Sequence, residues 1–340
     1  MSGDSSLLPS LELDADSWWR RAVIYQIYLK SFADANGDGF GDLRGAAGRL
    51  DYIHKLGVDA VWLCPFYSSP NKDGGYDVSD HRDVDPMYGS LADAEEFIRK
   101  AHALNIKVII DLVPNHSSDQ HRFFQAALCT PPGSPEWSRY HCVRGRGANG
   151  ELPPNNWQSF FKGPAWSPVP RPVAIPPSSQ VEVPESLSSP SSDPSSNPPA
   201  SHEGWWYLHL FDKSQPDFNW QNADVTAEFD ETMTFWLLKG VDGFRIDVAP
   251  GLVKAKGYPD FMSELNPARL LPLLKPLLPF VGDALPHHNM PHFDQPAVHD
   301  IYRKWRRLID ESATPFFIIC SAPSHTCPHD FASCLIVYKP

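Results

Sequence analysis

Two stretches of this chain bring ionisable side chains to the end of an apolar run: Asp111-Leu112-Val113-Pro114-Asn115-His116 and Gly243-Phe244-Arg245-Ile246-Asp247. A parallel strand reads this way when it ends in an active site. Arg245 and Asp247 stand two residues apart, so an extended backbone sets them side by side on one face. A cation beside a carboxylate favours its ionised form, which a carboxylate nucleophile requires. Taken alone, an Arg-x-Asp strand end also reads as a structural salt bridge. The next apolar run, Phe316 to Cys320, leads into Ser321-Ala322-Pro323, so the partner acid expected at that strand end is missing.

The elements that must position these residues alternate along the chain. Strand signals at Val23 to Tyr28, Ala60 to Leu63, Lys107 to Leu112, the run ending at Asp247, and Phe316 to Cys320 are separated by helical patterns. Those patterns lie near Leu43 to Leu56, Leu91 to Leu104, Thr226 to Lys239 and Val298 to Asp310. Such alternation predicts βα units around a parallel sheet. An irregular stretch interrupts it from about His121 to Asn222. Within that stretch, Pro168 to His202 is almost all Pro, Ser and small residues, a composition that predicts a disordered surface excursion. Loop-closure cost grows slowly enough with length to allow it.

Bulk properties narrow the field. With 340 residues, 42% of them hydrophobic, the chain can bury a large core. A net charge of −12 and the lack of a basic run argue against nucleic acid. Met1 to Asp16 carries four acidic residues and no apolar h-region, so it reads as a disordered N-terminus and not a secretory signal. No apolar run approaches membrane-spanning length. Cys64, Cys129 and Cys142 are scattered, and Cys320, Cys327 and Cys334 recur at a spacing that no common zinc site uses. Free thiols and a cytoplasmic location are expected.

The loop Asp34-Ala35-Asn36-Gly37-Asp38-Gly39-Phe40-Gly41-Asp42 sets oxygen ligands at alternate positions with glycines for a tight wrap, as a hard cation needs. It begins like an EF-hand, but the twelfth position is Gly45 where that motif needs a bidentate Glu. An Asx-rich turn without metal is the plainer reading.

Together these residues resemble the α-amylase superfamily of glycoside hydrolases (family 13), in its α-glucosidase and oligo-1,6-glucosidase-like branch. Trp18-Trp19 leading into Ala22-Val23-Ile24-Tyr25-Gln26-Ile27-Tyr28 is similar to that family's first barrel strand. Gln215-Pro216-Asp217-Phe218-Asn219-Trp220 is similar to a signature of the branch. The likeness spans roughly Asp16 to Gly163, Trp205 to Asp260 and Val298 to Glu311. It implies an α/β fold, a TIM (β/α)8-type barrel that is incomplete, with about five strands present. Residues 17–120 would hold strands 1–3, 121–222 a loop-rich subdomain inserted after strand 3, and 223–319 strands 4–5. Residues 320–340 form a tail without family likeness.

The resemblance also implies roles. Asp247 would be the nucleophile, Arg245 its orienting cation, and Asp73, Tyr76 and His116 the grip on a terminal glucose. Asp34, Asn36, Asp38 and Asp42, with the Phe40 carbonyl, would hold a structural Ca2+, and no organic cofactor is implied. Val248 is the residue type that the branch associates with α-1,6 linkages. The implied activity is exo-acting, retaining hydrolysis of terminal α-linked glucose from an oligosaccharide or disaccharide. Departures are the acid/base Glu, a His-Asp motif, the last three strands, and Pro250 where relatives commonly carry His. They lead to the expectation of a C-terminally truncated chain that is itself inactive. Two other readings stay open: a non-catalytic sugar-binding or partner relative, and a sucrose- or trehalose-isomerising transglucosidase of the same branch. No nucleic-acid or membrane partner is expected.

Overall fold

The computed structural model describes residue 18 and residues 21–170, 201–261, 290–310 and 317–320. The expected disorder of residues 1–16, the body of the Pro/Ser-rich segment at 171–200, and the tail at 321–340 lie outside the described residues. Five strands run in parallel: β1 (Ile24–Ile27), β2 (Ala60–Leu63), β3 (Lys107–Leu112), β4 (Gly243–Ile246) and β5 (Phe317–Cys320). They neighbour one another in chain order, as consecutive βα units dictate. The register aligns Trp62 with Ile109 and Asp111 with Arg245.

Side chains alternate across this sheet with the two-residue period of a strand. Val61, Leu63, Val108, Ile110, Leu112, Phe244 and Ile246 are all buried in the main core. Ile24, Ala60, Trp62 and Ile109 cluster separately on the other face with Trp18, and Asp111 and Arg245 fall in the same alternation. The inner face therefore passes from apolar to ionised towards the C-terminal strand ends.

Helices cover the outer face. The helical pattern at Leu43 to Leu56 is two helices, α1 (Leu43–Ala47) and α2 (Leu50–Lys55). The break follows from Gly45 and Gly48, which weaken helix propagation. Gly45 also packs its Cα against the preceding loop, where an added Cβ would lie 2.0 Å from the Ala33 carbonyl oxygen. Helix α3 (Leu91–Ala103) starts in a capping box between Ser90 and Asp93 and buries Ala94, Phe97, Ile98 and Ala101 along one face. Helix α4 (Arg122–Leu128) opens the inserted region. Asn222 caps α5 (Ala223–Leu238), which buries Val225, Phe229, Met233 and Trp236. Helix α6 (Val298–Asp310) buries Val298, Tyr302 and Trp305.

Between β3 and α5 the chain forms a small antiparallel sheet with Trp205–Leu208 between Cys142–Arg144 and Trp166–Pro168. This corrects the ends of the expected disorder. Pro168 pairs with Trp206, and the Val169 amide donates to the Trp205 carbonyl at 2.9 Å. His202 is buried with its ring 4.8 Å from that of Trp137. The apolar residues flanking the Pro/Ser run supply the burial that its own composition lacks. Cys64, Cys129 and Cys142 are free thiols, as expected. Among the described residues no helix is long and apolar enough to cross a membrane.

Candidate active site

Asp111 is the penultimate residue of β3 and Arg245 lies opposite it on β4, so the strand register alone brings the two together. The Arg245 guanidinium donates from Nη1 to Asp111 Oδ1 at 2.7 Å. The same nitrogen stands 2.8 Å from Asp247 Oδ1, one residue past the end of β4. Trp62 of β2 donates from Nε1 to Asp111 Oδ2 at 3.1 Å, and the Tyr76 hydroxyl donates to the same oxygen at 3.2 Å. The guanidinium also sits over the Trp62 ring, 5.0 Å from its centroid.

The backbone aims Asp247. Its amide donates to the Leu112 carbonyl at 2.8 Å, continuing the sheet by one bond. Val248 then takes φ of 48°, in the left-handed region. A β-branched residue there is strained, and such strain persists where surrounding packing over-determines the turn.

Burial acts on the groups around the guanidinium. Asp111 is fully buried, and desolvation pushes its pKa up to about 7, with the Asp247 charge adding and Arg245 opposing. Arg245 is held above its ordinary value: burial works against the cation, and the charges of Asp111 and Asp247 outweigh it. Burial raises Tyr76, with Asp111 and Asp247 adding to the shift. The cation therefore stays charged beside Asp247, whose side chain is 16% exposed.

A second group meets beside this one. His116 is buried, with Nε2 3.2 Å from the Tyr76 carbonyl and 3.2 Å from Gln215 Nε2. Gln215 donates to Asp73 Oδ2 at 2.8 Å. Burial raises Asp73 above the usual carboxylate value and lowers His116, the latter against the charges of Asp217, Asp247 and Asp73. The Phe211 ring lies 5.2 Å from the His116 ring and stacks on Phe160, which with Phe161 is about half exposed. Behind His116, Lys254 and Asp217 form an ion pair at 2.8 Å, with side chains only 1% and 0% exposed.

All five expected site residues thus fall on one rim, reached from β2, β3 and β4 and the loops that follow them. Asp111, Gln215, Trp62, Phe211 and Lys254 join them without having been assigned roles. Asp111 and Gln215 stood inside motifs read as signatures. Trp62, Phe211 and Lys254 carried no local signal, because only folding brings them to the rim. His209, given no role, bonds Ser167 Oγ at 2.9 Å and the Phe211 carbonyl at 3.0 Å as a buried structural histidine. The sequence after β5, Ser321-Ala322-Pro323, carries no strand-end acid, and residues 321 onward lie outside the described residues.

The Asp34–Asp42 loop is an exposed wrap tied by its own side chains. Asp34 accepts from the amides of Asn36, Gly37 and Gly39 at 2.7–3.1 Å. Asp38 accepts from the Phe40 amide at 2.8 Å and from Asn36 Nδ2 at 3.0 Å. Asp42 accepts from the amides of Ala35 and Gly45 and caps α1. Three carboxylates, one amide oxygen and a backbone carbonyl are hard donors of the kind calcium takes. They are not drawn into one cluster: among the described residues no three His, Cys, Asp or Glu side chains group as an ion site.

Comparison with known proteins places this rim in context. The alpha amylase catalytic domain profile matches residues 26–168 and 178–330. An oligo-1,6-glucosidase of Parageobacillus thermoglucosidasius is 43% identical over 243 residues, covering 72% of this chain and 37% of that protein. An α-glucosidase of Saccharomyces cerevisiae is 42% identical over 246 residues, again covering 72% and 37%. Among solved structures, an alpha-glucosyl transfer enzyme superposes with a TM-score of 0.71 at 35% identity, covering 91% of this chain and 50% of that one. A Bacillus licheniformis trehalose-6-phosphate hydrolase gives 0.70 at 33% identity, covering 91% and 45%. The chain spans well under half the length of the curated relatives it matches.

Proposed function

This chain belongs to the alpha-amylase family, as a portion of its catalytic (β/α)8 barrel, and we propose that its cleft serves retaining cleavage of a terminal α-linked glucose. The observation that carries the reading is Arg245 Nη1 set 2.8 Å from Asp247 Oδ1 at the C-terminal ends of parallel strands, where barrel enzymes keep their chemistry. Asp247 attacks the anomeric carbon, displaces the glycosidic oxygen and holds the glucosyl unit as an ester that water then opens. Arg245 keeps negative charge on that carboxylate and orients it. Asp73 and His116, tied through Gln215, receive the hydroxyls of the glucose at the closed end of the cleft, and Tyr76 packs beside it. In such a mechanism the departing oxygen takes its proton from a second carboxylate about 5–5.5 Å from the nucleophile. The resemblance puts that acid after β5, where this chain reads Ser321-Ala322-Pro323 and supplies none.

The test is release of p-nitrophenol from p-nitrophenyl α-glucoside by the purified chain, beside Asp247→Asn. Turnover abolished in Asp247→Asn supports the nucleophile, and turnover kept in that variant refutes it. Glucose binding without turnover in both proteins favours the sugar-binding reading over hydrolysis. Relatives of both hydrolytic and transferring type carry this fold, so product analysis on sucrose and isomaltose separates hydrolysis from isomerisation.

Ca2+ at the Asp34–Asp42 loop is part of the same proposal, supported by the donor chemistry of Asp34, Asn36, Asp38, Asp42 and the Phe40 carbonyl. Calorimetric titration of the metal-free chain is expected to show one site, lost in Asp38→Ala. Equal heats from both proteins remove the assignment.

A further inference from the structure

The hydrogen-bond pattern behind His116 determines which of its ring nitrogens carries the proton. Lys254 Nζ is a donor, and Asp217 Oδ2, which faces it at 2.8 Å, is an acceptor. Asn115 lies between them. Its Oδ1 stands 3.0 Å from Lys254 Nζ and its Nδ2 3.1 Å from Asp217 Oδ2. Reversing the amide would set oxygen against carboxylate and N–H against ammonium, so its orientation is settled by two buried charges. The same Nδ2 lies 3.2 Å from His116 Nδ1. An N–H group there needs a lone pair opposite it, so Nδ1 is bare.

Other contacts lock this arrangement. Lys254 also donates to the Gly251 carbonyl, and the Leu210 amide donates to Asp217 Oδ1 at 2.9 Å. A Cβ on Gly251 would stand 2.8 Å from Asn115 Oδ1, so glycine leaves the room that the amide needs. One contact opposes the assignment: Gln215 Nε2 lies 3.2 Å from His116 Nε2, where a bare nitrogen would accept from it. Gln215 already donates to Asp73 Oδ2 at 2.8 Å, and its Oε1 accepts from the Asp212 amide. The Asn115 amide is held at both ends, by Lys254 and by Asp217, and this pair of contacts outweighs the single one at Gln215. Burial keeps the ring neutral, so it has one proton to place.

We propose that Lys254 is a positioning residue that, through the Asn115 amide, holds His116 as the tautomer with its proton on Nε2. Nε2–H then points to the Tyr76 carbonyl, 3.2 Å away, on the side of Asp73 and Gln215. A sugar hydroxyl oxygen entering beside Asp73 would compete with the Tyr76 carbonyl for that one proton, and His116 presents no acceptor on this edge. The proton's position stands on the geometry of the free protein. Its use for sugar rests on the function proposed above.

The experiment is a long-range 1H–15N correlation spectrum of the chain labelled with 15N-histidine, with the His116 signals assigned by their loss in His116→Gln. A protonated Nε2 and a bare Nδ1 are expected, and a protonated Nδ1 in the wild-type chain overturns the proposal without any variant. The neutral double variant Lys254→Met/Asp217→Asn removes both charges that orient the amide, and mixed or reversed His116 tautomers are expected. An unchanged pattern in that variant, shown to be folded, overturns the role of Lys254. Asn115→Asp places an acceptor opposite Nδ1 and is expected to move the proton there. Glucose added to the wild-type chain separately tests the sugar reading: unmoved His116 signals count against that reading and leave the tautomer assignment standing.

Discussion

Lys254→Met is expected to cost this protein about 3–5 kcal/mol, the range for removing one partner of a buried ion pair. The structure puts the variant in that range for three reasons. The two side chains are 1% and 0% exposed, so no water can replace the ammonium beside Asp217. Lys254 donates to Asp217 at 2.8 Å, to Asn115 at 3.0 Å and to the Gly251 carbonyl, so three acceptors lose a donor together. Methionine has nearly the same length, so little of the loss comes from a cavity. Asp217 cannot escape to solvent, because it is anchored by the Leu210 amide and Asn115 Nδ2. Urea unfolding followed by tryptophan fluorescence measures the loss. With a slope of about 3 kcal/mol/M, the midpoint falls by about 1 M or more. Adding Asp217→Asn removes the stranded charge, and the double variant is expected to recover part of the loss. A single-variant shift below about 0.3 M, or a double variant no better than the single, would refute the reasoning.

Other expectations follow from the same coordinates. His81, His121, His141 and His292 are pushed by burial to about 4, 2, 3 and 4, so the unfolded chain takes up protons near pH 6.5 that the folded chain refuses. Stability therefore drops as pH falls from about 6.5 towards 4, by about 2 kcal/mol per buried imidazole at pH 5. Asp111, raised by burial, works in the opposite sense between the ordinary carboxylate pKa and about 7, so the four histidines dominate. A urea midpoint that stays level or rises between pH 7.5 and 5 contradicts this. Gly45→Ala drives a Cβ to within 2.0 Å of the Ala33 carbonyl and is expected to cost about 1–3 kcal/mol, read as a lower thermal midpoint. Tyr76→Phe removes the 3.2 Å bond to the buried Asp111 and is expected to cost about 1–3 kcal/mol, with an unchanged midpoint counting against it.

Much of the architecture was legible from residues a few positions apart. Apolar runs marked the strands and alternated with helical patterns, because such signals act within a few residues. Polar residues at the ends of apolar runs located Arg245, Asp247 and His116 for the same reason. Local reading failed where packing decided. The Pro168 and His202 edges were ordered by tryptophans elsewhere in the chain. That fact is not written in their own neighbourhood.

Tertiary structure alone decided how the ionised groups pair. Asp111 and Arg245 are 134 residues apart and meet because β3 and β4 align them, so one guanidinium serves two carboxylates. Lys254 reaches Asn115 across 139 residues, and nothing near either one announces the other. The physical reason is range. Backbone preference and side-chain periodicity act over a few residues, whereas the energy of a buried charge depends on whatever the fold carries within a few ångströms. The chain's own order declared which residues could do chemistry, and the sheet register and the closed space behind His116 settled their charges and protons.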